Sequence, residues 1–170
     1  MIRTMTKADF IAFWPTFEAV ILAQETYAFD PDMTCEQAYS VWCESALVSY
    51  VYEENNKILG SYYLKANGMG PSSHISNCGY MVSELARGKG IASALCEHSQ
   101  HIAIELGFAA MQYNSVVSSN EVAIKLWGKL GYKIIGTIPQ AYRHGTLGYI
   151  DSYIMHKQLL PPRVTGVQTT

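Results

Sequence analysis

Residues 80–106 read YMVSELARGKGIASALCEHSQHIAIEL, and this stretch decides the fold. A short apolar run ends at Val82, and a turn with two glycines and two basic residues follows it. Beyond the turn, apolar side chains recur at the spacing of a helix, at Ile91, Leu95, Ile102 and Leu106. The pattern predicts a strand, then a glycine-rich turn, then an amphipathic helix.

The turn before this helix has the composition of an anion-binding site. Gly88 and Gly90 let the backbone approach a ligand closely, and the free N–H groups at a helix start point outward. The helix dipole adds partial positive charge there, and Arg87 and Lys89 add full charges. We therefore expect the turn to bind a phosphate group.

Two common phosphate-binding loops do not fit this turn. A Walker loop needs a Lys-Ser or Lys-Thr pair after its second glycine, whereas Gly90 is followed by Ile91 and Ala92. A dinucleotide-binding unit needs an acidic residue at the end of a second parallel strand, and none is evident. The sequence therefore favours neither of these nucleotide-binding classes.

Composition restricts the class of protein further. The 170 residues suit one domain over 1–160 with a polar tail at 161–170, and 49% hydrophobic content with 15% charge predicts a globular chain. A formal net charge of -2 argues against a nucleic-acid partner, and no apolar run approaches the ~20 residues that span a membrane. Without the apolar core of a secretion signal at the N-terminus, a cytoplasmic location is expected.

The cysteines predict neither disulfides nor a metal site. The four residues are widely spaced, with no Cys-x-x-Cys pair and no Cys/His cluster. Reduced and mostly buried thiols are expected at Cys35, Cys43, Cys78 and Cys96.

The remaining elements follow from periodicity and from helix start and stop signals. Two aromatic helices come first, the earlier of them with Pro15 inside it, where a kink or break is expected. Six strands are predicted, at 47–53, 58–65, 74–82, 109–117, 132–138 and 148–157, with further helices after the third and fourth. This order predicts a mixed, mostly antiparallel sheet with helices on both faces, in which the third and fourth strands run parallel.

Two short motifs resemble those of the Gcn5-related N-acetyltransferase (GNAT) superfamily. Arg87, Gly90 and Ala92 form Arg-x-x-Gly-x-Ala after a strand, which is similar to the family's motif A. The segment that starts at Asn120 and runs through Leu126-Trp127 to Gly131-Tyr132 resembles motif B. The resemblance covers residues 1–160 and implies the GNAT fold, with six to seven strands and about four helices.

The resemblance implies acetyl-CoA as co-substrate and no metal. The backbone of Met81 and Val82 would bind the pantetheine arm, and the amides from Gly88 to Ala92, Ile91 included, would hold the pyrophosphate. Further contacts with the cofactor are expected from Arg87, Lys89, Asn120 and Lys129.

The resemblance also implies direct acetyl transfer to an amine, without an acyl-enzyme, so the cysteines are not expected to act as nucleophiles. The N–H at Val82 would polarise the thioester carbonyl. Many family members protonate the thiolate with a motif B tyrosine, but this chain has Trp127 there. Tyr132 is the nearby candidate, although its ring also suits the core.

Polar residues near the expected centre of the sheet suggest the acceptor. Asn77, Asn114 and His74 are the candidate substrate residues, with Asn114 also a candidate for holding a water that accepts the amine's proton and His74 a candidate base. The segments 65–67, 74–80 and 114–116 resemble a narrower group, the fungal N-acetyltransferase of azetidine-2-carboxylate and other proline analogues, with its bacterial relatives. A small amino-acid-like amine is therefore expected.

Two other functions stay open at this point. A peptide or protein N-acetyltransferase would need an open groove, and a non-catalytic acyl-CoA-binding module would account for the missing motif B tyrosine. The resemblance also makes a homodimer plausible.

Overall fold

The computed structural model describes residues 1–161, which contain a seven-stranded sheet of order β1-β2-β3-β4-β5-β7-β6. The strands are β1 Ile2–Thr4, β2 Val48–Glu54, β3 Lys57–Ala66, β4 Ile75–Val82, β5 Ala110–Val117, β6 Lys133–His144 and β7 Gly148–Gln158. The α-helices of the described residues are α1 Lys7–Ala23, α2 Cys35–Tyr39, α3 Ile91–Glu105 and α4 Glu121–Lys129. Five of the six neighbouring strand pairs are antiparallel and β4–β5 is parallel, which confirms the predicted mixed α/β fold.

Each face of the sheet carries its own core. Phe10, Phe13 and Phe17 of α1 pack with Trp42 and with Met81 of β4 on one face. On the other face, α3 and α4 cover a second core, which includes Tyr62, Leu64, Leu95, Met111 and Trp127. Because side chains alternate along a strand, neighbouring residues of β4 contribute to opposite cores.

Helix α1 is continuous through Pro15, so of the kink or break expected there the break does not occur. A proline inside a helix costs about 3 kcal/mol, because it removes one hydrogen bond and crowds the preceding turn. Three fully buried phenylalanines on the same helix each contribute about 1.5–3 kcal/mol, which outweighs that cost. A capping box formed by Thr6 and Asp9 is present at the start of α1.

Two features at the edges of the sheet were not predicted. Strand β1 pairs with β2, and Arg3 in β1 binds Asp9 of α1 and Glu53 of β2 through its guanidinium group. Strand β6 continues to His144 through a segment predicted to be a loop. A bulge allows this, since Gln140 adopts a positive φ and donates its N–H to the Asp151 carboxylate at 2.9 Å.

The feature that positions the functional site is the divergence of β4 from β5. Strand β4 pairs with β3 along its whole length but pairs with β5 only from Ile75 to Asn77. Strand β5 is irregular between Tyr113 and Val116 where it pairs with β7. Beyond Asn77 the two parallel strands separate and leave one edge of β4 open.

The predicted tail, 161–170, lies outside the described residues apart from Pro161. Within residues 1–161, no helix combines the length and apolar character needed to cross a membrane.

Candidate functional site

A cleft of about 1230 Å³ occupies the gap between the diverging strands. One wall consists of α1 residues and the α1–α2 loop, and the opposite wall consists of β5 and the start of α4. The glycine turn before α3 lies at one end, where Arg87, Gly88 and Ala92 line the cleft. Because the sheet is split here, the cleft connects one face of the sheet with the other.

The register of β4 determines which backbone groups face the cleft. Ser83 donates its N–H to Leu59 O at 2.8 Å, so Ser83 and every second residue before it bond to β3. Tyr80 and Val82 alternate with these residues and therefore direct their N–H and C=O groups into the gap. Met81 points its backbone at β3 and its side chain into the core, so the predicted backbone contact of Met81 with a ligand is not supported.

One of these exposed backbone groups, the carbonyl of Tyr80, already accepts a hydrogen bond from Tyr27. This residue of the α1–α2 loop donates its hydroxyl hydrogen to Tyr80 O at 2.7 Å across the cleft. Burial raises the pKa of Tyr27, which keeps the hydroxyl protonated as a donor. The N–H of Val82 is left as an available donor at this edge.

The glycine turn has the geometry of an anion cradle. Gly88 and Gly90 have φ values of 76° and 73°, a region that favours glycine, and open space surrounds both. The first main-chain bond of α3 runs from Ala94 N to Gly90 O at 3.0 Å. The amides of Ile91 and Ala92 therefore have no helical partner and are free to bind an anion.

The basic side chains of the turn contribute less to anion binding than its backbone amides do. Arg87 lines the cleft but is 80% exposed at its side chain and pairs with Glu84 at 3.0 Å. Lys89 pairs with Glu54 at 3.7 Å and does not line the cleft. Exposed ion pairs of this kind are weak, so anion binding depends mainly on the amides.

The two predicted cofactor residues of α4 differ in position. Asn120 lines the cleft and caps α4, since its Oδ1 accepts the Ala123 N–H at 3.2 Å. Its amide nitrogen is therefore available to a ligand. Lys129 is exposed in the last turn of α4, outside the residues that line the cleft, so a cofactor contact is not supported.

Trp127 lies on the cleft wall where the family's tyrosine is missing. Its ring is 5.0 Å from that of Tyr80 and 5.4 Å from that of Tyr113. Tyr132 stacks behind Tyr113 at 4.3 Å, is 3% exposed and donates its hydroxyl hydrogen to Met111 Sδ at 2.8 Å. Burial also raises the pKa of Tyr132, so this position does not support its predicted catalytic role.

Asn77 lies at the fork of the two strands with both ends of its amide bonded. Its Oδ1 accepts the Tyr63 hydroxyl hydrogen at 2.9 Å, and its Nδ2 donates to Gln112 O on β5 at 3.0 Å. Asn77 lines the cleft as predicted, but its side chain first of all ties β4 to β5 at their last paired position.

We expect Asn77→Ala to lower the free energy of unfolding by about 1–3 kcal/mol, because two partly buried hydrogen bonds are lost. Tyr63→Phe removes only one of them and is expected to cost about 1 kcal/mol. Urea unfolding of both variants measures the difference. Equal losses of unfolding free energy in the two variants would mean that the hydrogen bond from Asn77 to Gln112 does not stabilise the protein.

The other predicted substrate residues also differ in position. Asn114 lines the cleft and donates from Nδ2 to Asn67 Oδ1 at 2.7 Å. His74 is exposed before β4, with Nδ1 3.1 Å from Pro71 O, and does not line the cleft. A role for His74 as the base is therefore not supported by its position.

Among the residues that line the cleft, Tyr27 and Tyr63 were not singled out by the sequence, and Lys65 and Gly79 were noted only as parts of the segments 65–67 and 74–80. A Cβ at Gly79 would lie 2.5 Å from Tyr63 Cε1 and 3.1 Å from the Tyr27 hydroxyl, so only glycine fits between these two rings. A glycine inside a predicted strand is a usable signal of such close approach. No local pattern marked Tyr27, because its loop is irregular.

Within residues 1–161, no three His, Cys, Asp or Glu side chains come close enough together to hold a metal ion. The four cysteines are free thiols, with Cys78 and Cys96 buried and Cys35 and Cys43 partly exposed.

Comparison with known proteins relates this geometry to a family. Residues 12–132 match the family described as Acetyltransferase (GNAT) family, which is more than half of the chain. A GCN5-related N-acetyltransferase from Kribbella flavida has 39% sequence identity and a TM-score of 0.87, over 93% of this chain and 96% of that one.

Two further similar proteins extend the comparison. N-acetyltransferase aca1 of Schizosaccharomyces pombe is 39% identical over 98 residues, which are 57% of this chain and 47% of aca1. The matched region thus spans about half the length of that relative. A phosphinothricin acetyltransferase from Sinorhizobium meliloti, solved with acetyl-CoA, has a TM-score of 0.82 over 98% of this chain and 91% of that one, and its 22% identity indicates a shared fold alone.

Proposed function

Because this chain belongs to the GNAT family of acetyltransferases, we propose that it transfers the acetyl group of acetyl-CoA directly to the amine of a small, amino-acid-like molecule. The strongest support for this proposal is the position of the backbone N–H donors. The parallel pairing of β4 with β5 ends at Asn77, so that the Val82 N–H and the free amides at the start of α3 border the same cleft.

The residues of the cleft fit the chemistry of acetyl transfer. Acetyl-CoA supplies an activated thioester, and the free amides of Ile91 and Ala92 at the start of α3 are available to its pyrophosphate. The N–H of Val82 is available to the thioester carbonyl, where it would stabilise the negative charge that develops as the amine attacks. Asn120, which lines the same cleft, offers its side-chain amide nitrogen.

The far wall of the cleft supports a small acceptor. The α1–α2 loop is bonded to the β6–β7 hairpin, with Tyr142 donating to Tyr27 O at 3.0 Å and Gly145 donating to Gln24 O at 2.9 Å. Tyr27 also bonds to β4. These three bonds hold the loop over the cleft, which favours a compact amine over an extended peptide.

Polar side chains near the fork support an amino-acid-like acceptor. Asn67, Asn77 and Asn114 line this part of the cleft together with Lys65. The same segments carry the resemblance to the acetyltransferases of azetidine-2-carboxylate and other proline analogues. No cluster of carboxylates that would attract a polyamine occurs among the lining residues, where the acids are Glu25 and Glu84.

The test is a thiol-release assay with acetyl-CoA and a panel of amines. The panel contains L-amino acids, azetidine-2-carboxylate, polyamines and short peptides. We expect the fastest release of CoA with an amino acid or proline analogue. Fastest release with peptides would identify a peptide acetyltransferase instead. Tight binding of acetyl-CoA without release for any amine would identify a non-catalytic module.

A further inference from the structure

We infer that Lys65 and Asn67, at the end of β3, bind the carboxylate of the acceptor and thereby select acids over neutral amines. The inference rests on the proposed function, since it identifies the chemical group that the acceptor must carry. It is supported by the unpaired positive charge and the free hydrogen-bond donors that line the cleft near the fork of β4 and β5.

Lys65 supplies an uncompensated positive charge. It lines the cleft, is partly buried, and forms no ion pair with any residue in the described part of the chain. Its Nζ lies 5.4 Å from the ring centre of Tyr63, whose hydroxyl bonds to Asn77. This contact keeps the ammonium group beside the fork rather than extended into solvent.

Asn67 is oriented by a chain of amide hydrogen bonds. Gln112 donates from Nε2 to Asn114 Oδ1 at 3.0 Å, and Asn114 donates from Nδ2 to Asn67 Oδ1 at 2.7 Å. Asn114 Oδ1 and Asn67 Oδ1 each accept one of these bonds, and Asn67 Nδ2 is left without a partner within residues 1–161. The chain therefore ends in a pair of N–H donors at the cleft.

The two groups together present N–H donors and a positive charge to the cleft, and their one acceptor oxygen, Asn67 Oδ1, already accepts from Asn114. Residues 65 and 67 are two apart near the end of β3, and both border the cleft. A carboxylate, which only accepts hydrogen bonds and carries negative charge, is the complement of such a pair. The cleft's other cation, Arg87, already pairs with Glu84 at the cofactor end.

The hydrogen bonds of Asn77 and Asn114 also change the roles that were predicted for these two asparagines. Asn77 uses its oxygen and its nitrogen to join β4, β3 and β5. Asn114 uses its oxygen and nitrogen within the amide chain. Both are positioning residues in this scheme, and the carboxylate contacts pass to Lys65 and Asn67.

The first test compares the best amino acid of the panel, or azetidine-2-carboxylate, with its own carboxamide. We expect Lys65→Gln to raise KM for the acid by about 10- to 100-fold, which is the range for a lost charge-assisted hydrogen bond. The KM values for the carboxamide and for acetyl-CoA should change by less than about twofold. Lys65→Arg, which keeps the charge, should retain most of the preference for the acid.

Lys7→Gln is the matched control. Lys7 also lies over a tyrosine ring, with Nζ 5.2 Å from the ring centre of Tyr39, but it is outside the cleft. Its substitution removes the same charge and the same type of contact, and we expect no change in the acid-to-amide preference.

The second test uses Asn67→Asp, which has nearly the same shape. The oxygen that accepts from Asn114 is retained, while the free amide donors are replaced by a negatively charged oxygen. We expect the acid to lose its advantage over the carboxamide. A preference that survives both Lys65→Gln and Asn67→Asp would overturn the inference, as would an equal rise in KM for acid and amide.

Calorimetric titration of the same acid and amide into the CoA-bound protein provides a measurement that does not need turnover. Weaker binding of the acid alone by Lys65→Gln would support the carboxylate site even if no amine were acetylated. In that case the proposed function would fail while the inference stood. Binding that is unchanged by Lys65→Gln in a wild-type protein that acetylates the acid would overturn the inference alone.

Discussion

Gly90→Glu should abolish acetyl-CoA binding while the chain keeps its fold. The new carboxylate would lie where the amides at the start of α3 are available to a pyrophosphate. Two like charges about 4 Å apart repel by about 4 kcal/mol at an effective dielectric constant of 20, so we expect the affinity to fall by about 100-fold or more. Calorimetric titration of acetyl-CoA measures the loss.

Gly107→Glu is the matched control for this variant. Gly107 follows the other end of α3, has a φ of 88°, and is surrounded by open space as Gly90 is. Both substitutions therefore impose the same left-handed strain, about 1–2 kcal/mol, without a clash. Thermal unfolding should show similar stability losses for both, with acetyl-CoA affinity retained in Gly107→Glu. Equal losses of acetyl-CoA affinity in the two variants would contradict pyrophosphate binding at the start of α3.

The glycine turn shows how much of the site the sequence could predict. Glycine next to basic residues at the start of an amphipathic helix favours a turn with positive φ and free amides, although such turns also occur in ordinary loops. Gly88 and Gly90 adopt such φ values, and Ala92 lines the cleft. Local pattern was sufficient to predict the turn because it is built from consecutive residues, and its binding of a phosphate stays a prediction.

Roles that depend on strand register could not be predicted in the same way. The family resemblance implied backbone contacts from both Met81 and Val82, yet of these two only Val82 faces the gap, because the pairing of Ser83 with Leu59 sets the alternation. The role of a polar residue near the fork also depends on partners from other strands. Asn77 is occupied by Tyr63 and Gln112, which come from two other strands.

The sheet edges were also difficult to predict, for a different reason. Strand β1 is only three residues long, and much of its attachment comes from Arg3, which reaches residues on two other elements. Strand β6 contains Pro139, which reads as a loop residue, but an edge strand tolerates a missing N–H on its open side. Tertiary pairing determined both outcomes.

Val82→Pro should abolish most of the catalysis without removing a bond of the sheet. Residue 82 lies opposite Gly60 with its N–H directed away from β3, so proline there removes only the donor that faces the cleft. Loss of one donor to a developing oxyanion lowers kcat by about 100- to 1000-fold in other acyl-transfer enzymes, and we expect a loss in that range. Val82→Ala retains the N–H and should keep kcat within about fivefold of the wild type, a small change beside the loss of an oxyanion donor.

A spectroscopic measurement separates this effect from a general distortion of β4. In the wild type, the hydrogen bond from Val82 should lower the infrared stretching frequency of the thioester carbonyl in bound, isotope-labelled acetyl-CoA. In Val82→Pro the frequency should return towards that of free acetyl-CoA, while thermal unfolding changes little and acetyl-CoA affinity falls by no more than about tenfold, the range for one lost hydrogen bond. An unchanged frequency together with an unchanged kcat would exclude Val82 as the polarising group. The neighbouring Tyr80 N–H, which also faces the gap, would then be the remaining donor on this strand.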